Sequence, residues 1–257
     1  DTYMSTLFQR LLAWLRAMGT SVVLLSATLP AQTRRELLEA YAGHPVDLPP
    51  PEYPVITWAT AENVGVVPLP RPEDRRVALE WLSRDPAAVV DALRADLREG
   101  GCAAVICNTI ARAQKIYGVL KDAHLVPDDA LTLFHARYPF AWRDEIERGV
   151  LARFGKNGIR PERAIVVATQ VIEQSLDLDF DVMVSDLAPV DLIVQRAGRL
   201  HRHLGRTRPD PAAAPRLYLV VDTDEYGVPH FDRDVYVYMP YLLLCAYLAL
   251  HERDALM

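Results

Sequence analysis

Apolar positions in the first part of the chain recur at helical spacing and then bunch together. Tyr3, Leu7, Leu11, Leu12, Leu15 and Met18 fall on one face of a helix over residues 3–18, and Gly19 stops it. Val22-Val23-Leu24-Leu25 has no polar break, which is the pattern of a parallel strand buried on both faces. A second helix is predicted over 32–40. Residues 44–75 then hold Pro45, Pro49, Pro50, Pro51, Pro54, Pro68, Pro70 and Pro72, a density that no regular core element tolerates. That stretch reads as a connection with a short strand near 55–59. Beyond it the pattern becomes regular. Helices are predicted over 86–98, 111–121 and 141–154, with a helical start over 192–200. Strands are predicted over 103–107, 131–134, 164–168, 181–185 and 216–221. Helices alternating with short apolar strands predict an α/β fold, a parallel sheet with helices on both faces. The apolar run 235–250 is interrupted by Pro240 and falls short of the ~20 residues that span a bilayer, so it predicts a buried helix and no membrane partner.

Composition adds bounds. A length of 257 residues allows one large or two small domains. With 51% hydrophobic and 24% charged residues the chain has ordinary globular composition. A formal net charge of −6 offers nucleic acid no general attraction, so any basic surface must be local. One such locality is visible: residues 196–208 hold five arginines, two histidines and no acid. Three cysteines, two of them (Cys102 and Cys107) in an apolar run, fit buried thiols in a reducing cytoplasm better than a disulfide framework. No metal site is expected.

In a parallel sheet the ligand lies beyond the carboxyl ends of the strands, and the chemically suggestive residues fall there. Ser26-Ala27-Thr28 follows the first apolar run, where the hydroxyls suit either a hydrogen-bond relay or a helix cap. Asn108-Thr109 suits a nucleic-acid phosphate or an ordinary cap. His135-Ala136-Arg137 ends another strand. From Thr169 and Gln170 to Asp177 the chain turns polar, with groups able to meet sugar, phosphate or ribose. Asp177 and Asp179 form a conceivable metal pair that lacks a third ligand. Gln195 to His203 places three arginines around Gly198. Arg196 and Arg199, and again Arg199 and Arg202, are three apart and would share a helix face. A guanidinium is always charged and forks onto phosphate oxygens; a pair aimed at one point suits the arginine-finger role in phosphoryl transfer. A solvated basic helix face is the alternative. The 257 residues contain no G-x-x-x-x-G-K-[ST] phosphate loop.

Taken in order, these pieces resemble the motifs of superfamily 2 helicases: Ser26-Ala27-Thr28 motif III, Asn108-Thr109 motif IV, Thr169 to Asp177 motif V, and Gln195 to Arg202 motif VI. The strings VVLLSATLP, CNTIARAQ, LFHARY, VVATQVIEQSLDLDFD and APVDLIVQRAGRLHRH are similar to those of the CRISPR-associated helicase-nucleases of type I systems. The resemblance implies a RecA-like fold: the end of a first RecA-like domain (1–45), a proline-rich linker (46–85), a complete second RecA-like domain (86–222) and the start of a C-terminal extension (223–257). The family's HD nuclease domain, phosphate loop and Asp-Glu magnesium motif have no counterpart in these residues. The chain is therefore expected to begin partway through the first RecA-like domain and to be inactive alone.

Carried over, Arg199 and Arg202 resemble the arginine fingers, and Gln195 also faces the triphosphate. Arg196 and Gly198 belong to the same nucleotide-facing motif, and Asp177 resembles the acid near the ribose. Asn108, Thr109, Thr169 and Gln170 look like DNA-backbone contacts, with His135 and Arg137 also assigned to DNA. Ser26, Ala27 and Thr28 resemble the motif that couples hydrolysis to strand movement. ATP and Mg2+ are the implied cofactors, the magnesium ligands lying outside this chain. Single-stranded DNA and an RNA-guided type I surveillance complex are the implied partners of a monomeric, cytoplasmic motor. Two alternatives stand beside this reading: another superfamily 2 helicase acting on DNA or RNA, and a non-catalytic helicase-fold module that binds nucleic acid or protein.

Overall fold

The structure, a computed structural model, describes residues 2–26, 29–48, 53–70, 75–173 and 176–256. The chain divides into two compact units, Asp1–Asp74 and Arg75–Met257.

The first unit holds α1 (Thr2–Ala17), α2 (Ala31–Ala42) and the antiparallel hairpin of β1 (Val55–Ala59) and β2 (Val64–Pro68). Leu12 is buried, and Gln9 Nε2 reaches Glu36 Oε2 at 3.4 Å to join the two helices. Gly43, at φ 77°, closes α2 in the left-handed conformation that favours glycine. The buried Arg34 donates to Thr57 Oγ1 at 3.1 Å and ties α2 to the hairpin. The strand expected at 22–25 is not formed: Val23 and Leu25 are 81% and 93% exposed. A buried strand needs neighbours to receive its hydrogen bonds, and among the described residues β1 and β2 pair only with each other. Ser26 is exposed, while Ala27 and Thr28 lie outside the described residues.

The second unit is built on a seven-stranded sheet. Its elements are β3 (Val77–Leu82), α3 (Pro86–Asp96), β4 (Gly101–Ile106), α4 (Ile110–Asp122), β5 (Leu131–Phe134), α5 (Phe140–Phe154), β6 (Arg163–Ala168), β7 (Val182–Asp186), α6 (Val190–Ala197), β8 (Arg216–Val220), the small ribbon β9 (Asp222–Thr223) and β10 (Pro229–His230), α7 (Pro240–Leu250) and β11 (Ala255–Leu256). The strand order is β11-β3-β8-β7-β4-β6-β5, parallel throughout except for β11, which runs antiparallel on β3.

The unbroken apolar runs of β4, β6 and β7 follow from burial on both faces. Alternate residues serve opposite cores. Ala103, Val105 and Cys107 join Val89, Leu93, Ile116 and Leu120 of α3 and α4. Cys102, Ala104 and Ile106 join Val150 and Phe154 of α5, Ile193 of α6 and Ala246 of α7. This is the α/β layering that the hydrophobic pattern predicts.

Three expectations change. Residues 77–82, read as connecting chain, form β3 beside β8, and Val77 and Leu79 are buried at period two. The proline density ends at Pro72, so the alternation that marks β3 was legible. α7 is buried on one face only: Leu243, Ala246 and Leu250 lie in the core, while Tyr241 and Leu248 are 70% and 63% exposed. α6 ends at Ala197, and His201 adopts φ 49°. Arg199 and Arg202 therefore share no helix face.

Candidate nucleotide and nucleic-acid interface

The carboxyl ends of the parallel strands form one continuous rim. Thr169 N–H donates to Phe134 O at 3.1 Å, joining the ends of β6 and β5, and Cys107 N–H donates to Ala168 O at 2.8 Å. Asn108 N–H donates to Asp186 Oδ2 at 2.9 Å, joining β4 to β7. The rim thus brings together Asn108, Thr109, His135, Thr169 and Gln170, residues separated by up to 62 positions in sequence.

Their side chains are not equally available. Asn108 is buried, and its amide donates to Leu187 O at 2.7 Å. This side chain braces two strand ends instead of facing a DNA phosphate, because burial obliges its amide to bond internally. Thr169 is also buried. Thr109 is half-buried and caps α4, accepting from Arg112 N–H at 3.3 Å. Gln170 Nε2 donates to Asn108 O at 3.0 Å. His135 is buried and stacks on Tyr138, ring centroids 4.3 Å apart at 8°; burial, then the charge of Arg137, holds its imidazole below its ordinary value. Arg137 is exposed.

Sequence reasoning missed the residues that hold this rim. Asp186 is buried and accepts from Arg112 Nε at 2.6 Å as well as from Asn108. Arg84 reaches the buried Asp234 at 2.6 Å, and burial, then the nearby Asp186, raises the Asp234 carboxyl above its usual range. Tyr238 lies 3.4 Å from both Gln170 Nε2 and Arg196 Nη2. Beside Thr109, an open cleft of about 820 Å³ is lined by Arg84, Arg112, Lys115 and Arg233 together with Asp222 and Asp232. No motif announces these residues; only the apolar strand ends next to them hint at their place.

The arginine run is distributed over the domain. Arg196 is fully buried: its Nε donates to Glu173 Oε1 at 2.7 Å, and its Nη1 to Ser185 Oγ at 2.7 Å and Asp186 O at 3.0 Å. It knits α6 to the rim and does not face outward to a nucleotide. Arg199 is also buried. Its guanidinium donates to Leu176 O and, at 2.8 Å, to Glu173 O, while its Nε has no partner among the described residues. Arg202 is half-exposed and pairs with Asp177 at 2.6 Å. The hydrogen bond from His203, 3.1 Å away, and the charge of Arg202 keep the Asp177 carboxyl below its usual range. Gln195 is half-buried and Gly198 exposed.

Further on, the chain passes to the opposite end of the sheet. Arg208 bonds Asp181, whose Oδ2 accepts from Cys102 N–H at the start of β4. Asp179 is fully buried among Arg160, Arg206 and Arg208; burial pushes its carboxyl up, but the hydrogen bonds from Arg208 and the His203 backbone, with the charges of Arg208 and Arg160, together hold it below its usual range. With three guanidiniums around it, Asp179 is no partner for Asp177 in holding a cation.

The chain as a whole is similar to known proteins. The model of "CRISPR-associated nuclease/helicase Cas3, C-terminal" matches residues 99–205. A CRISPR-associated endonuclease/helicase Cas3 of Thermus thermophilus is 41% identical over 300 residues, covering 100% of this chain and 32% of the relative. The chain belongs to the Cas3 family. The crystal structure of T. fusca Cas3-ATP superposes with TM-score 0.87 at 34% identity, covering 99% of this chain and 32% of that one. A chain in a CRISPR RNA-guided surveillance complex, pre-nicking, gives TM-score 0.82 at 33% identity over 99% of this chain and 34% of that one. The chain thus spans about a third of the length of these Cas3 proteins.

Proposed function

We propose that this chain supplies part of an ATP-driven DNA helicase of CRISPR defence, a motor that moves along single-stranded DNA after recruitment by an RNA-guided surveillance complex. Residues 75–257 would be its second RecA-like domain with an attached extension, and residues 1–74 the end of the first domain and the connection. The observation that carries the reading is the rim itself, which gathers Asn108, Thr109, His135, Thr169 and Gln170 at the end of a parallel sheet where ligands bind. The names of the Cas3 relatives, one with ATP and one in a surveillance complex, point the same way. No helix of the described residues is long and apolar enough to cross a membrane.

The residues present fit one wall of a nucleotide site. Arg202 offers a guanidinium that is 47% exposed, and in the same motif Gln195 is half-buried and Gly198 exposed. Arg199 makes two bonds to backbone carbonyls, and its Nε has no partner among the described residues; to act as a finger it must leave Glu173 O and Leu176 O. Asp177 orients Arg202 and would be near the ribose. A triphosphate, when bound, would supply the free energy for movement; the guanidiniums of Arg202 and a released Arg199 would neutralise its phosphates and the Gln195 amide would orient them. Asp177 and Asp179 are taken up by cationic neighbours, which leaves Mg2+ to carboxylates elsewhere. On the DNA side, Thr109 and Arg137 present side chains to phosphates, while Asn108 and Thr169 act through the backbone they hold in place.

DNA-stimulated ATP turnover of the full-length protein tests this. Arg202→Ala is expected to lower turnover on the order of 10³-fold, as for a finger, and Arg199→Ala by a similar factor. Unchanged turnover in Arg202→Ala would return that residue to a surface ion pair.

A further inference from the structure

The turn between β5 and α5 carries a feature that neither the motifs nor the nucleotide wall uses. Residues 130–143 hold four aromatic residues, Phe134, Tyr138, Phe140 and Trp142, together with His135, Arg137 and Arg143, and no acid. Phe134 is buried and anchors the strand end, and Tyr138 is taken up by its stack on His135. Phe140 and Trp142 are different: they are 75% and 62% exposed on the first turn of α5. They are not needed for the core, which α5 meets through Ile146, Val150 and Phe154. The guanidinium of Arg143 lies over the Phe140 ring, 5.6 Å from its centroid, and Arg137 stands exposed just before. The first acid after the turn, Asp144, is paired with Arg148 at 2.7 Å. The turn adjoins the rim, since Phe134 O accepts from Thr169 N–H.

Two large solvated rings beside guanidiniums, without carboxylates in the segment, match one ligand chemistry. A single-stranded nucleic acid offers phosphates to the cations and flat, unpaired bases to the rings, and base–aromatic stacking tolerates any sequence because every base has a π face. We propose that Phe140 and Trp142 form a stacking platform for unpaired bases of the strand, with Arg137 and Arg143 meeting its phosphates. The proposal rests on the single-strand reading above and adds to it contact with the bases as well as with the backbone.

The test is equilibrium binding by the full-length protein of an oligothymidylate and an abasic strand of equal length and charge, at one salt concentration. The wild type is expected to prefer the strand with bases. The double variant Phe140→Ala/Trp142→Ala is expected to lose roughly 5- to 100-fold in affinity for that strand and to change by less than about twofold on the abasic one. Trp142→Phe keeps a ring and is expected to retain most of the preference. Equal losses on both strands would overturn the platform and make the turn an electrostatic contact. Undiminished binding of the base-bearing strand by the double variant would also overturn it, and intact DNA binding with lost association to a purified RNA-guided complex would make the turn a protein-docking face. A wild type that binds neither strand would remove the single-strand reading, and this proposal with it.

Discussion

Residues 196–208 and residues 130–143 are both free of acids and both carry arginine, yet they do opposite things with their charge. In the first stretch nearly every guanidinium meets a carboxylate from residues 173–181: Arg196 meets Glu173, Arg202 meets Asp177, Arg206 meets Asp179, and Arg208 meets Asp179 and Asp181. Those pairs sit largely in the interior, and only Arg202 keeps about half of its side chain in solvent. In the second stretch Arg137 is exposed and Arg143 lies on an aromatic ring. A run of like charges is therefore a surface only where no opposite run folds against it. The denser basic run contributes architecture plus one half-exposed ion pair, and the sparser one contributes an open, ring-bearing face.

The comparison can be broken by mutation. The largest effect on stability is expected at Arg196. Arg196→Ala leaves Glu173 without its partner and Ser185 Oγ without a donor inside the domain, and is expected to cost about 3–5 kcal/mol in chemical denaturation. A loss below ~1 kcal/mol would mean that the buried pair is dispensable.

An intermediate effect is expected from pH. Burial, then the charge of Arg208, lowers the His201 imidazole from 6.5 to about 4. Between those values the unfolded chain takes up a proton that the folded chain refuses, so this contribution is complete above about 6.5 and is lost as the pH falls toward 4. His201→Asn, which suits φ 49° at this position, is expected to flatten that part of the stability–pH curve. An unchanged slope would assign the acid sensitivity to other groups.

The smallest effects are expected at the exposed residues. Arg202→Ala breaks a half-exposed pair and should change stability by no more than ~1 kcal/mol. Phe140→Ala/Trp142→Ala should stay within about 0.5 kcal/mol for each exposed site. Thermal unfolding of both variants, set against Arg196→Ala, sharpens the contrast between a buried and an open basic stretch.

How much was legible depended on range. The strands β4 to β8 were readable because burial on both faces leaves an apolar run that needs no knowledge of neighbours. β3 was passed over because it followed a proline-rich stretch, although Val77, Leu79 and Trp81 alternate. Residues 22–25 carry the same apolar signal as the true strands, but a strand also needs a partner edge. Within the site, Thr109 and Gln170 were found as strand-end residues, and Asn108 was found in place but with its side chain turned to bracing. Asp186, Arg112 and Tyr238 went unread because each matters only through contacts across 42 to 78 positions in sequence. The acids of 173–181 were visible in the sequence, spaced two and four apart ahead of the arginines, and were the available sign that the basic run would be neutralised.

Local periodicity by itself determined the helices, most of the strands and the end of the sheet at which polar residues collect, because side-chain period and backbone twist are short-range properties. The partner that each arginine finds, and hence which of them stays at the surface, was decided only when the chain turned at Gly198 and brought two distant charge runs together. Coulomb attraction and desolvation depend on separation in space, and spacing along the chain does not encode that.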